Sequence, residues 1–104
     1  MKILTVCSHG NIRSAGLKYL LQVIYKHDVL NCGVEENSED TRQMLFQWAD
    51  KVIALDTTVF TVVDREMDHS NKLELLDVGE DVWHNPFAQA LQHRLLKGLK
   101  NLNV

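Results

Sequence analysis

A chain of 104 residues, 45% of them hydrophobic, is long enough for one core and too short for two, so a single domain over residues 1–104 is expected. Eleven Lys and Arg against fourteen Asp and Glu give a formal net charge of −3, which argues against nucleic-acid binding through a basic surface and makes any attraction for phosphate a local matter. Two cysteines do not make a disulfide framework, and there is neither a signal-like start nor a run of about 18 apolar residues, so a cytoplasmic protein without membrane contact is expected.

The chain alternates element types, with no repeat, low-complexity tract or long linker. Lys2 to Val6 reads as a buried strand, and Leu17, Leu20, Leu21 and Ile24 then recur at helical spacing up to Lys26-His27-Asp28. Val29 to Val34 reads as a second strand. Asn37-Ser38-Glu39-Asp40 supplies capping residues for a helix with Met44, Leu45, Trp48 and Ala49 on its apolar face. Lys51 to Leu55 makes a third strand, with Asp56 and Thr57 as caps beyond it. Thr58 to Met67 fits either element type, because its β-branched residues suit a strand and their order suits a helix. Leu73 to Val78 is the fourth strand, and Pro86 opens a last helix with Ala88, Leu91, Leu95 and Leu99 inward. Four strands alternating with helices predict an α/β, three-layer fold, a parallel sheet with helices on both faces and ligands beyond the C-terminal strand ends.

The first strand runs straight into Cys7-Ser8-His9-Gly10-Asn11-Ile12-Arg13-Ser14, a thiol and a guanidinium with five residues between them. A Gly- and Asn-containing loop between a strand and a helix start can turn successive N–H groups inward as an anion-binding nest. A helix N-terminus and a cation both favour the thiolate, which makes Cys7 a candidate nucleophile toward phosphate. Arg13 can grip two phosphoryl oxygens with its planar fork and stabilise the charge spread over them, and Ser14 can donate to the Cys7 sulfur. Such a site needs no metal or other cofactor. The plain alternative for Cys7 is a small buried residue ending a core strand. Against it stand the spacing to Arg13, the following Ser14, the Gly10-Asn11 pair and the helical pattern that begins at once.

This loop, with Met1-Lys2-Ile3-Leu4-Thr5-Val6 before it, resembles the low-molecular-weight protein tyrosine phosphatases, whose signature is Cys, five residues, then Arg and Ser or Thr. Asn31-Cys32-Gly33-Val34 falls where that family has a Ser-Ala-Gly-Thr turn, Gln47-Trp48-Ala49-Asp50-Lys51-Val52-Ile53 resembles its Ala-Asp junction, and Leu76-Asp77-Val78 followed by Asn85-Pro86 resembles its acid-loop segment. The resemblance spans most of the chain, and its first motif is the specific one. It implies a four-stranded sheet of order 2-1-3-4, which puts Cys7 beside the point where strand order reverses. It also implies hydrolysis of phosphotyrosine or another aryl phosphate, on a protein or a small molecule, through a cysteinyl-phosphate. Cys7, Arg13 and Ser14 would be catalytic, and Ser8, His9, Gly10, Asn11 and Ile12 would surround the phosphoryl group.

Three positions depart from the family pattern. Gly10 stands where the family places a left-handed Asn, and glycine takes positive φ without cost. Ile12 stands where many members carry a second Cys that guards the nucleophile, and Cys32 is a distant substitute. Asn85 replaces the Asp that protonates a phenolate leaving group of pKa near 10, a contribution of about 10²–10⁴-fold. Asp81 or His84 can take over as the acid, with Asp81 favoured for its carboxyl and otherwise a solvated loop charge. Failing both, the protein is a slow phosphatase or a phosphate-binding relic.

Trp83 can line the substrate entrance by stacking on a phenyl ring, whereas Trp48 on its apolar helix face reads as core. His9 lies in the loop and can alter the site's charge near neutral pH. His27, His69 and His93 lack metal-ligand spacing and read as surface residues. Two other classes stay open: a phosphocysteine carrier like a sugar phosphotransferase IIB component, whose loop this sequence matches at Cys7, Gly10 and Ser14 but not at Arg13, and a non-catalytic phosphate- or phosphotyrosine-binding module. An arsenate reductase would need late cysteines, and none follows Cys32.

Overall fold

The computed structural model describes residues 1–68, 71–79, 82–102 and 104. Its elements are β1 (Lys2–Cys7), α1 (Arg13–Val23), β2 (Asp28–Gly33), α2 (Glu39–Trp48), β3 (Lys51–Ala54), α3 (Thr57–Glu66), β4 (Leu73–Leu75) and α4 (Gln89–Leu99). The four strands form one parallel sheet of order β2-β1-β3-β4, with Val6 opposite both Cys32 and Ala54. The expected α/β architecture and strand order are therefore present.

Strand alternation sorts the apolar residues into two cores. Ile3, Cys7, Val29 and Ile53 pack under Leu17, Leu20 and Leu21 of α1 and Leu91, Leu95 and Leu99 of α4. Leu4, Val6, Cys32, Val52 and Ala54 pack under Phe46 and Ala49 at α2 and Val59 and Val63 of α3. Each buried leucine contributes about 1.5–3 kcal/mol. The chain leaves β1 toward β2 and then returns past β1 to β3, and this reversal puts α1 on one face and α2 on the other. A crevice results at the C-terminal ends of β1 and β3. No described helix is long and apolar enough to cross a membrane.

Several local expectations are corrected. Helix α1 stops at Val23, because the chain turns through a left-handed Lys26 (φ 60°), and Ile24 at its cap is 53% exposed. On α2 Arg42, Phe46 and Ala49 are buried and Leu45 and Trp48 pack against the core beside them, while Met44 is 72% exposed. A buried arginine is what the apolar pattern could not anticipate: Glu66 of α3 takes its fork at 2.9 and 2.5 Å, and the carbonyls of Val34 (3.1 Å) and Asn37 accept from it too. Residues 57–66 are helical. Asp56 caps them through Val59 N–H at 2.7 Å, and the valines at 59 and 63 lie inward one turn apart. Strand β4 ends at Leu75 instead of Val78, although Leu76 and Val78 keep single backbone bonds to Ala54 and Leu55 as the chain lifts toward the crevice. Pro86 does not open α4. Asn85 Oδ1 accepts from Phe87 N–H at 2.8 Å and its carbonyl from Ala88 N–H, so Pro86 serves a turn and the helix begins three residues later, at Gln89. His27 is half-buried, 3.4 Å from the terminal amine. His93 is exposed, and His69 lies outside the described residues.

Candidate active site

Cys7 is the last residue of β1, at the C-terminal end of the sheet, where its side chain is 1% exposed beneath the loop that follows. The chain then doubles back. Gly10 takes a φ of +78°, and its N–H donates to the Cys7 sulfur at 3.1 Å. The Ser14 hydroxyl, in the first turn of α1, lies 3.1 Å from the same sulfur. Thr5 Oγ1 holds that turn by donating to the Ser14 carbonyl at 2.9 Å. No described side chain caps α1, whose first N–H groups point along the helix axis toward the loop.

The far side of the loop rests on β2. The bonds Val34 N–H to Cys7 carbonyl (3.0 Å) and Glu35 N–H to Ser8 carbonyl (2.8 Å) continue the strand pairing past its end, and the Asn31 amide donates to the Gly10 carbonyl. The two backbones meet at glycines. A Cβ on Gly33 would lie 2.3 Å from the carbonyl carbon of His9, and one on Gly10 would lie 2.7 Å from Gly33 N. The exposed loop residues are His9, 3.3 Å from the Glu35 carboxylate, and Asn11, with Ser8 and Ile12 half-buried.

Arg13 is fully buried. Its Nη1 donates to Asp56 Oδ2 at 2.5 Å and to the Gly79 carbonyl at 2.7 Å, and its Nη2 donates to Ser8 Oγ at 3.0 Å. The guanidinium therefore spans the ends of β1 and β3 and the segment after β4. The same carboxylate caps α3 through its other oxygen, which fixes the ion pair to two elements.

The structure brings Cys7, Ser8, Gly10, Arg13 and Ser14 together. Trp83 is half-buried and packs against the core under α1 and α4, with its indole N–H buried and without a hydrogen-bond partner among the described residues. Asn85 is exposed, with its amide oxygen spent on Phe87 N–H. Asp81 lies outside the described residues.

No protein-family model matches the sequence, and a comparison with curated proteins finds no significant match. Solved structures do match in three dimensions. The arginine phosphatase YwlE, as a cysteine-to-serine mutant with a phosphorylated active-site serine, superposes with a TM-score of 0.75 at 15% identity over 96% of this chain and 91% of that one. The tyrosine phosphatase Wzb from Escherichia coli K30, in complex with phosphate, gives 0.73 at 15% over 96% and 94%. A low-molecular-weight protein tyrosine phosphatase from T. tengcongensis gives 0.71 at 16% over 98% and 99%. The fold is that of the low-molecular-weight phosphatases.

On this phosphatase fold Asp56 carries more than the cap that its sequence position suggests, because it also holds Arg13. A lone Asp after a strand gives no sign of a partner 43 residues away. The Arg42–Glu66 pair likewise braces the turn at residues 34–37 that backs the loop. The Cys32 side chain lies on the opposite face of the sheet from Cys7, in the core under α2 and α3. Among the described residues no three His, Cys, Asp or Glu side chains are grouped to hold a metal ion.

Burial pushes the Cys32 thiol from an ordinary value of 9.0 up to about 12. A pKa raised by folding means that the contribution of the protonated thiol to stability is complete below about pH 9 and is lost as pH rises toward 12. Wild type should therefore lose about 2 kcal/mol relative to Cys32→Ala between about pH 7 and pH 10.5, read by urea unfolding at both values. A constant difference between the two proteins would remove the buried-thiol account.

Proposed function

We propose that this protein is a phosphatase that hydrolyses phosphotyrosine or another aryl phosphate without a metal. The observation that carries the reading is the Cys7 sulfur held 3.1 Å from both the Gly10 N–H and the Ser14 hydroxyl at the end of β1. Both groups can donate to a thiolate, and a sulfur solvated this way is a better nucleophile and a better leaving group than a thiol in an apolar core. The neighbouring folds support the reading, since those compared above are phosphatases, one of them with a phosphorylated serine at its active site.

In the first step the Cys7 thiolate attacks phosphorus, an S–P bond forms and the P–O bond to the aryl group breaks. The leaving oxygen takes a proton from the acid, for which Asp81 is the proposed residue. In the second step water attacks the phosphocysteine, gives its proton to that carboxylate, and releases phosphate and the Cys7 thiolate. Arg13, held by Asp56 and Gly79, turns Nη2 from Ser8 Oγ to a phosphoryl oxygen and balances the charge spread over the equatorial oxygens. Cys7 is almost fully covered in the closed loop, so residues 8–12 shift to admit the phosphoryl group.

Hydrolysis of p-nitrophenyl phosphate in the presence of a chelator tests this. Turnover inhibited by vanadate is expected; no turnover with vanadate still bound would leave a binding module or a carrier. The binding-module reading has one observation in its favour, the Asn85 side chain turned onto its own backbone. If Asp81 is the acid, Asp81→Asn slows phenyl phosphate by about 10²–10⁴-fold and p-nitrophenyl phosphate far less, because the nitrophenolate needs little protonation. Equal slowing of both esters counts against that role. Assays with phosphotyrosine and phosphoarginine peptides then separate the two substrate classes represented among the neighbouring folds.

A further inference from the structure

Charge is unevenly distributed along this acidic chain. Residues 1–81 hold eight Lys and Arg against all fourteen Asp and Glu, whereas residues 82–104 hold Arg94, Lys97 and Lys100 and no acid. With Leu91, Leu95 and Leu99 turned into the core, α4 presents these three cations to solvent, and all are exposed. Among the described residues no ion pair engages them. The residues one turn before Lys97 are His93 and Arg94, so no acid within the helix offsets them. A basic last turn complements the helix dipole, but Arg94 lies in the middle of the helix, where the dipole gives no reason for it.

The cations line two adjoining clefts. One of about 380 Å³ lies between α4 and Asp77, with Arg94 and Lys97 on its wall. The other, of about 480 Å³, is bounded by Tyr25, Leu96, Lys97 and Lys100, and His93 and Lys97 belong to both. Arg94, on the wall of the first cleft, lies beside the segment that anchors Arg13. A Cβ on Gly79 would lie 4.0 Å from Arg94 Nη1, and the Gly79 carbonyl is an anchor of Arg13.

We propose that this face of α4 is a docking groove for an acidic segment of a phosphorylated protein substrate, so that phosphorylated residues flanked by Asp and Glu are the preferred ones. The inference rests on the phosphatase reading. Charge complementarity selects the occupant, because a cationic strip on a protein of net charge −3 attracts an acidic chain locally while the rest of the surface repels it. The geometry suits an extended peptide. Arg94 and Lys100 are six residues apart on the helix, about 9 Å, the length of roughly three residues of extended chain. Tyr25 and Leu96 add apolar surface beside the strip. Binding energy gained here is the same in ground and transition states, so it lowers KM and leaves kcat alone.

The test compares fluorescein-labelled phosphotyrosine peptides with acidic and with neutral flanks, in binding to Cys7→Ser and in turnover by wild type. Acidic flanks are expected to lower Kd and KM about tenfold, with kcat unchanged and the advantage gone in about 0.5 M salt. Lys97→Gln/Lys100→Gln removes the advantage and leaves p-nitrophenyl phosphate hydrolysis as it was. Equal affinity for both peptides, or a preference that survives the double substitution, overturns the proposal. So does displacement of the acidic peptide by inorganic tripolyphosphate at concentrations where an unlabelled acidic peptide has no effect, since the groove would then belong to a free polyanion. The binding arm decides the groove even if p-nitrophenyl phosphate is not hydrolysed, a result that removes the phosphatase reading by itself.

Discussion

Cys7→Ser should lower p-nitrophenyl phosphate hydrolysis by at least about a thousandfold while the folded protein still binds vanadate. The substitution replaces a sulfur by an oxygen of similar size at a site that is 1% exposed. The Gly10 N–H and Ser14 hydroxyl that lie 3.1 Å from the sulfur can both bond to the new hydroxyl, so the loop keeps its supports and stability should change by no more than about 1 kcal/mol. The chemistry does not survive. An alcohol oxygen in the same place is a far weaker nucleophile toward phosphorus than a sulfur, and a poorer leaving group. The loss should therefore appear in kcat, with oxyanion affinity preserved, and a thermal shift with vanadate reports the two separately. Activity retained within tenfold would move the nucleophile elsewhere and end the cysteinyl-phosphate mechanism. Loss of vanadate binding together with activity would mean that the loop itself had collapsed.

The legible part of this molecule was the part governed by local rules. Apolar runs of four to six residues marked the strands, and Ser38 announced a helix start because a cap acts within three residues of itself, whereas residues 58–67 stayed open between strand and helix until the Asp56 cap decided for the helix. Cys7, Gly10, Arg13 and Ser14 were readable as a loop because eight consecutive residues carry the whole pattern. What stayed hidden depends on partners distant in sequence. Arg42 is buried because Glu66, 24 residues later, and the carbonyls of Val34 and Asn37 meet it, and Met44 faces solvent instead. Gly33 was readable only as part of a turn, and its close approach to His9, 24 residues earlier, shows only in the fold. Pro86 was placed at a helix start because proline suits that position equally well as it suits a turn, and the Asn85 side chain decided for the turn.

The ion pair between Arg13 and Asp56 joins folding and chemistry, and substitutions can pull the two apart. Arg13→Lys keeps a cation beside Asp56, but an ammonium on a flexible stem cannot hold the carboxylate, the Gly79 carbonyl and a phosphoryl oxygen in one plane. Hydrolysis should fall by about 10³-fold with modest loss of stability. Arg13→Met leaves a carboxylate that is only 15% exposed without its counter-ion, and breaking such a pair from one side costs about 3–5 kcal/mol. Adding Asp56→Asn removes the stranded charge and keeps an acceptor for the Val59 N–H, so the double variant should regain stability over Arg13→Met and remain inactive. Urea unfolding and p-nitrophenyl phosphate kinetics on the same three proteins give both readouts. If Arg13→Lys hydrolyses within tenfold of wild type, the guanidinium is a structural tie between β1, β3 and the segment after β4, and the charge that stabilises the transferring phosphoryl group must come from the loop backbone.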